Sequence, residues 1–214
     1  MTVRLTWAVL GLIYLAFFSW YTSFGGPLSQ AEVEQYLGLM LEARPDASPE
    51  VEARLRKFLE TDTGDDFVMW NNLEMHETPL QVEGVEPGET SSEVLAKYME
   101  YMTPALFARA CHPVILGTAA SPALEMFGVK GVRTWTTGAG MRYRSRRDML
   151  EIATNPAFRG SHQFKIAALN KTFAFPIDPW FQLGDPRLLL GLVFLVIGLG
   201  VGWAGARRRY RLNA

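Results

Sequence analysis

The feature that most constrains this chain is a pair of long, uncharged apolar runs, one near each end. The first covers 20 residues, Leu5 to Phe24, and the second covers 19, Leu188 to Ala206. At about 1.5 Å per residue, each helix would be about 30 Å long, the thickness of the hydrocarbon core of a bilayer. Buried helices of soluble proteins are usually shorter, so we predict two transmembrane helices. A cleaved signal peptide is the alternative for the first run, but no small-residue cleavage pattern follows it.

The distribution of charge predicts an orientation in the membrane. All 22 acidic residues lie between Glu32 and Asp185, and residues 25–186 carry 15 basic residues, so this segment has a net charge of −7. The other basic residues flank the apolar runs: Arg4, Arg187, Arg207, Arg208, Arg209 and Arg211. Positive charge collects on the cytoplasmic side, and only Arg187 lies on the opposing flank. We therefore predict an inner-membrane protein with both termini in the cytoplasm and an acidic periplasmic domain. We expect the arginine tail to contact the lipid bilayer rather than nucleic acid.

Caps and periodicity divide the chain into five predicted segments. These are a tail with the first transmembrane helix at 1–27, a helical pair at 28–62, an α+β domain at 63–180, the second transmembrane helix at 187–206 and a basic tail at 207–214. The capping box Ser29-x-x-Glu32 and the sequence Ser48-Pro49-Glu50 start the two helices of the pair. Gly191, Gly198 and Gly202 form a small-residue ridge on the second span, which is a candidate for contact between the second spans of two protomers.

The α+β domain has the predicted order β-α-β-β-α-β. Strands are predicted at 67–75, 113–119, 135–144 and 173–177, and helices at about 90–106 and 145–169 with a break at Asn155-Pro156. This is the ferredoxin-like pattern, in which the helices cover one face of the sheet. The other face is also apolar, and a bare apolar face is typical of an interface. We therefore expect a homodimer, and we expect residues 25–186 alone to dimerise.

Residues 66–179 resemble the dimeric α/β-barrel superfamily, and most closely its branch known as DUF1330. The resemblance is carried by Phe67-Val68-Met69-Trp70-Asn71-Asn72-Leu73, by Met141-Arg142-Tyr143-Arg144-Ser145-Arg146-Arg147, and by Asn155-Pro156-Ala157-Phe158-Arg159 with His162 behind it. It covers about half of the chain and implies a sheet-to-sheet dimer. The superfamily includes monooxygenases, haem-degrading enzymes and domains without known activity. Membrane anchoring is a departure from the superfamily.

The resemblance also implies a candidate ligand site. The haem-degrading branch uses an Asn, a Trp and a His, and Asn71 and His162 match the Asn and the His. Ile152 stands where that branch has its Trp. A neutral imidazole can ligate iron, so haem is one candidate cofactor; a capping role for His162 is the more ordinary alternative. We predict no metal site, since His76 and His112 belong to opposite ends of the sheet.

Four further residues are candidates for ligand binding. Tyr98 and Trp135 are suited to an apolar or aromatic ligand, and they are equally suited to an ordinary core. Arg142 and Arg144 belong to a basic cluster that suits a carboxylate, or that pairs with nearby acidic residues.

We therefore predict a two-span membrane protein whose extracytoplasmic α/β-barrel domain is a ligand-binding or interaction module for a small apolar ligand. The alternative is a monooxygenase or another oxidoreductase acting on an apolar substrate or haem. The sequence contains no strong catalytic pair that would decide for an enzyme.

Overall fold

The structure, a computed structural model, describes residues 3–132 and 134–213, without the side chains at 157, 158, 212 and 213. The chain divides into two compact units. We call the first the terminal-helix unit, which consists of the described residues among 1–22 and 180–214. The second is the sheet unit, Ser23–Pro179.

The elements follow one another in the predicted order. They are α1 (Val3–Tyr21), α2 (Gln30–Glu42), α3 (Pro49–Glu60), β1 (Phe67–Met75), α4 (Ser91–Ala108), β2 (His112–Thr118), β3 (Thr137–Tyr143), α5 (Arg146–Ala153), α6 (Pro156–Arg159), α7 (His162–Ala168), β4 (Leu169–Ile177) and α8 (Pro186–Asn213).

Helices α1 and α8 pack against each other in the terminal-helix unit. Both are long and apolar enough to cross a membrane. Only 6% of the most apolar stretch of each helix is buried, whereas the core helix of a soluble protein is mostly buried. At the start of α8, the Tyr14 hydroxyl donates to the carbonyl oxygen of Arg187 over 3.2 Å. The side chain of Arg187 pairs with Asp185 and lies over the ring of Tyr21, 5.4 Å from its centroid.

The glycine ridge of α8 is occupied within the chain. A Cβ atom added at Gly198 would lie 2.4 Å from the Trp7 ring of α1, and one at Gly191 would lie 3.5 Å from the Tyr14 ring. A side chain at position 198 would therefore clash with the Trp7 ring, whereas a Cβ at position 191 would only touch the Tyr14 ring. The ridge does not serve as a free contact between the second spans of two protomers at these two positions.

The sheet unit has a four-stranded antiparallel sheet in the order β2-β3-β1-β4. Strand β1 lies between β3 and β4, with Val68 opposite both Arg142 and Ile177. Strands β1 and β2 both run antiparallel to β3 and are therefore parallel to each other. The topology is ferredoxin-like, which confirms the predicted α+β class of this unit.

Local signals explain where the helices begin and end. Both capping boxes form: the hydroxyls of Ser29 and Thr90 accept from the backbone N–H groups three residues later. Helix α5 ends at Ala153, because Asn155 precedes a proline. The helix predicted at 156–169 is split into α6 and α7 at Gly160, a poor helix former. Strand β3 begins at Thr137, two residues later than predicted, and β4 already begins at Leu169.

Among the described residues, the helices of the sheet unit cover one face of the sheet. Met102 and Leu106 of α4 and Ile152 of α5 are buried against Met141 and Tyr143 of the sheet. A second cluster joins Val94 of α4 to Ala167 and Ala168 of α7.

The helical pair α2–α3 packs beside the sheet's helices. Val33 and Leu37 of α2 and Leu59 of α3 form a buried cluster with Leu150 of α5.

We call the side of the sheet that faces away from the helices the open face. Its residues include Trp70, Asn72, Ile115, Phe173, Phe175 and Ile177. Phe173 is 41% exposed, Phe175 44% and Ile115 54%, so the open face is accessible in a single chain.

The turn before β1 depends on two glycines in close contact. Gly64 has a φ of +81°, and a Cβ atom there would lie 2.3 Å from the backbone of Gly26. Asp62 fixes the same turn, because its carboxylate accepts from the backbone N–H groups of Gly64 and Leu28. The path of the chain into strand β1 therefore relies on a residue without a side chain.

We expect Gly64→Ala to destabilise residues 25–186 strongly. Gly88→Ala is a matched control, because Gly88 has a φ of +89° and open space around its Cβ position. The control should cost about 1–2 kcal/mol for the left-handed conformation alone. Gly64→Ala should cost about 1–3 kcal/mol more because of the clash, as measured by urea unfolding. Equal losses in the two variants would show that the contact with Gly26 does not matter.

Candidate functional site

Helices α4 and α7 bring together two of the predicted site residues, Tyr98 and His162. Their rings pack edge to face, with centroids 6.2 Å apart. Lys165 lies one turn after His162 on the same face of α7, and its Nζ atom is 5.8 Å from the centroid of the Tyr98 ring. Tyr98 is thus flanked by an imidazole and an amine on the helix side of the sheet unit.

The charged groups that act on this cluster are positive. Partial burial lowers the pKa of His162, and the positive charges of Lys165 and Arg44 lower it further. Burial lowers the pKa of Lys165, again with help from Arg44, and burial raises the pKa of Tyr98. Among the described residues, no carboxylate lies within ion-pair distance of Lys165. Such a cluster favours a neutral imidazole and suits a ligand with an acceptor or negatively charged group.

Asn71 lies on the helix-covered face of β1, one residue out of phase with Trp70 and Asn72 of the open face. Its Nδ2 group donates to the carbonyl oxygen of Met69 over 2.9 Å and to that of Ala139 over 3.4 Å. The amide N–H donors of Asn71 are therefore engaged by the backbone of the sheet.

Trp135 lies on the other side of the sheet from Tyr98. It precedes β3, and its ring packs edge to face on Phe173 of the open face at 5.2 Å. Lys171 also lies over the Trp135 ring, with Nζ 4.9 Å from the centroid. The structure therefore does not bring Trp135 together with Tyr98 and His162.

The two predicted arginines make internal ion pairs. Arg142 is 1% exposed, and its Nε atom donates to Asp66 over 2.8 Å. Its Nη1 atom donates to the carbonyl oxygen of Ala110 over 2.8 Å. Arg144 forms two hydrogen bonds with the Asp148 carboxylate, at 2.6 and 2.9 Å. Arg144 thus pairs with a nearby acid, as in the acid-pairing alternative, whereas the acidic partner of Arg142 is the distant Asp66.

The sequence alone did not identify two residues whose positive charges act on His162, namely Lys165 and Arg44. Lys165 follows His162 by three residues in a helix, and this spacing was the signal that would have found it. Arg44 follows α2 and is distant from His162 in sequence, so no local pattern connects them.

The positions of Ile152 and Cys111 argue against two kinds of chemistry. Ile152 stands where the haem-degrading pattern has a Trp, and it is 1% exposed within the core. Cys111 is fully buried, and burial raises the pKa of its thiol to about 11, so it is not poised as a nucleophile.

The lowered pKa of His162 predicts a pH-dependent stability. Between its lowered folded-state pKa and the unfolded value near 6.5, the unfolded chain binds a proton that the folded chain does not. The free energy of unfolding should therefore fall as the pH decreases below about 6.5, and less so in His162→Gln. By NMR, the His162 imidazole should titrate below 6.5, and Lys165→Met should raise the midpoint. A wild-type midpoint above 6.5 would contradict the cationic surroundings described above.

No protein-family model and no curated protein matches the sequence. Among solved structures, the methylated RPA0582 protein is similar over 65% of this chain and 96% of its own, with 21% identity and a TM-score of 0.51. The RPA0582 protein of unknown function from Rhodopseudomonas palustris has 20% identity, a TM-score of 0.49, and coverage of 64% and 97%. SnoaB, a cofactor-independent oxygenase from Streptomyces nogalater, has 12% identity, a TM-score of 0.33, and coverage of 56% and 99%. The first of these supports the ferredoxin-like fold of the sheet unit.

Proposed function

We propose that this protein is anchored in the inner membrane by two spans and presents its sheet unit on the extracytoplasmic side as a dimeric ligand-binding or interaction module. We place the sheet unit in the DUF1330-like branch of its superfamily. The observation that carries the proposal is the open face. Neither the sheet's own helices nor the α2–α3 pair covers it, although its aromatic side chains are suited to burial.

The geometry of the open face favours a second copy as its cover. Phe173 and Phe175 stack with centroids 5.9 Å apart and an interplanar angle of 9°, which gives β4 a flat aromatic surface. Gly138 and Gly140 on β3 add no side chains that would hold a second sheet away. Two such sheets pack about 10 Å apart in a face-to-face arrangement.

The charge pattern supports the orientation. Arg187 is the one basic residue on the extracytoplasmic flank, and it is paired there with Asp185 at 2.5 Å. The arginine-rich end of α8 has no acidic residue near it in sequence, since the last acid is Asp185. Positive charge without a neighbouring acidic residue in the sequence is therefore concentrated at the ends that we place in the cytoplasm.

Reporter fusions test this topology. A reporter active only in the cytoplasm should work when fused after Ala214 and should fail when inserted between residues 80 and 90. A mirrored pair, with an enzyme active only in the periplasm, should give the opposite result at both positions. If the 80–90 insertion is active in the cytoplasm, the proposed placement of the sheet unit is wrong.

We place the ligand on the helix side of the sheet unit, against Tyr98 and His162. The Tyr98 ring supplies an apolar surface, and His162 with Lys165 supplies hydrogen-bond donors beside it. A panel of quinones, aromatic compounds and haem tests the site by thermal shift. A ligand at about 100 times its dissociation constant should add about 2.7 kcal/mol to the stability of the wild type and none to that of His162→Ala.

The same panel tests the haem alternative. Added haem that gives a Soret band in the wild type, and none in His162→Ala, would favour haem chemistry. If no compound shifts the melting temperature, the ligand-binding part of the proposal fails and an interaction module remains.

A further inference from the structure

A groove lies between α1 and α8 at the ends of the helices that lead to the two chain termini. Its volume is about 670 Å³, and it is largely open on one side. Six residues line it: Val3, Arg4, Gly202, Ala206, Arg209 and Tyr210.

The groove exists because α8 has small residues there and α1 does not fill the space. A Cβ atom added at Gly202 would meet only Val3, at 4.0 Å. One turn earlier, at Gly198, the ring of Trp7 occupies the corresponding space. Ala206 extends the shallow floor by a further turn beyond Gly202.

The groove carries positive charge from both helices. Arg4 of α1 and Arg209 of α8 line it, and among the described side chains neither has a carboxylate within ion-pair distance. The nearest acid in sequence to Arg209 is Asp185, at the other end of α8. Arg207 has a different setting, because its guanidinium lies over the Trp203 ring, 5.2 Å from the centroid, and it does not line the groove.

We propose that this groove binds the phosphate-bearing headgroup of an anionic membrane lipid; the inference rests on the proposed two-span placement. Guanidinium groups bind phosphate oxygens in a bidentate manner, and two of them from different helices clamp one phosphate. The Tyr210 hydroxyl is a further donor, and Val3 with the small-residue floor accommodates the apolar part of the lipid. Basic pockets between transmembrane helices on the cytoplasmic side are suited to anionic headgroups.

Binding of labelled phosphatidylglycerol to the full-length protein, purified in a neutral detergent, tests the site. We expect saturable binding that phosphatidylcholine does not displace. Arg209→Gln and Arg4→Gln should each weaken it about tenfold, whereas Arg207→Gln, which removes the same charge outside the groove, should weaken it less than about twofold. Gly202→Leu fills the groove without changing the charge and should also weaken binding about tenfold. Gly200→Leu is its control, because a Cβ at Gly200 meets no atom within 4 Å.

Three results would overturn the inference. Equal losses in Arg207→Gln and Arg209→Gln would indicate diffuse attraction to the arginine tail. Displacement of the lipid by glycerol phosphate at equal concentration would assign the groove to a soluble phosphate compound. Unchanged binding in Gly202→Leu, or in Ala206→Leu if the first variant does not fold, would place the lipid elsewhere.

Alkaline extraction of membranes separates this inference from the proposed function. A protein released by carbonate does not span the membrane, and both proposals then fail. A protein that stays in the membrane but binds phosphatidylglycerol no better than phosphatidylcholine overturns the groove inference alone.

Discussion

Replacing Asp66 with alanine is expected to lower the free energy of unfolding of residues 25–186 by about 3–5 kcal/mol. The reason is the guanidinium of Arg142, which is 1% exposed and bonded to Asp66 at 2.8 Å. Without the carboxylate, a buried positive charge keeps only the partners that lie elsewhere, such as the carbonyl oxygen of Ala110. Breaking a buried ion pair is costly because the remaining charge has already lost its hydration.

Two control variants define this effect. Glu50→Ala breaks the Arg54–Glu50 pair, whose side chains are 66% and 80% exposed, and should cost less than about 1 kcal/mol. Asp66→Asn keeps an oxygen acceptor for Arg142 and should fall between the two. Urea unfolding of the three variants provides the measurement. A cost for Asp66→Ala no larger than that for Glu50→Ala would mean that the pair does not hold the strand ends together.

The order of elements was predictable because its signals are local. Capping boxes at Ser29 and Thr90 mark helix starts within four residues, and both form as expected. The alternation of Phe173, Phe175 and Ile177 predicts a strand without reference to the rest of the chain. The two apolar runs likewise predict long exposed helices from length and composition alone.

The roles of Arg142, Arg146 and Arg147 were not predictable, because their partners are distant in sequence. Arg142 pairs with Asp66, 76 residues earlier, and Arg147 pairs with Glu32, 115 residues earlier. Arg146 lies over the Phe58 ring, 4.5 Å from the centroid. A run of basic residues predicts a charged surface in general. Only the fold shows that Arg146 and Arg147 connect α2 and α3 to the rest of the sheet unit.

The packing partner of the α2–α3 pair and the side of the sheet on which Trp135 lies were likewise not predictable from local sequence signals. The apolar stripe of α3 predicts that the helix packs against something, and the structure identifies the partner as α5. The strand predicted at 135–144 would place Trp135 on the same face as Met141 by alternation, but β3 begins only at Thr137. Since Trp135 is outside the strand, alternation does not fix its side, and its ring packs on Phe173 of the open face.

Phe175→Glu is expected to weaken self-association of residues 25–186 about a thousandfold. The side chain is 44% exposed in a single chain and lies within the aromatic surface of the open face. A two-fold dimer buries it twice, at about 1.5–3 kcal/mol for each phenylalanine, and every 1.4 kcal/mol is tenfold in affinity. The substitution also places two like charges in a desolvated interface.

Phe107→Glu is the matched control for this substitution. Phe107 is 53% exposed, but it lies on α4, away from the open face, so the variant should dimerise like the wild type. Loss of association in both variants would indicate general damage to the fold or contact through another surface. Circular dichroism of each variant establishes that the fold is retained.

Sedimentation equilibrium of residues 25–186 at micromolar concentration tests the central claim, that two open faces form a dimer interface, most directly. This segment includes the compact sheet unit apart from its first two residues, and it lacks both long apolar helices apart from the first residue of α8. We predict a dimer for the wild type and for Phe107→Glu, and a monomer for Phe175→Glu. A well-folded wild-type monomer would contradict the claim, because the open face would then be stable in water without a partner.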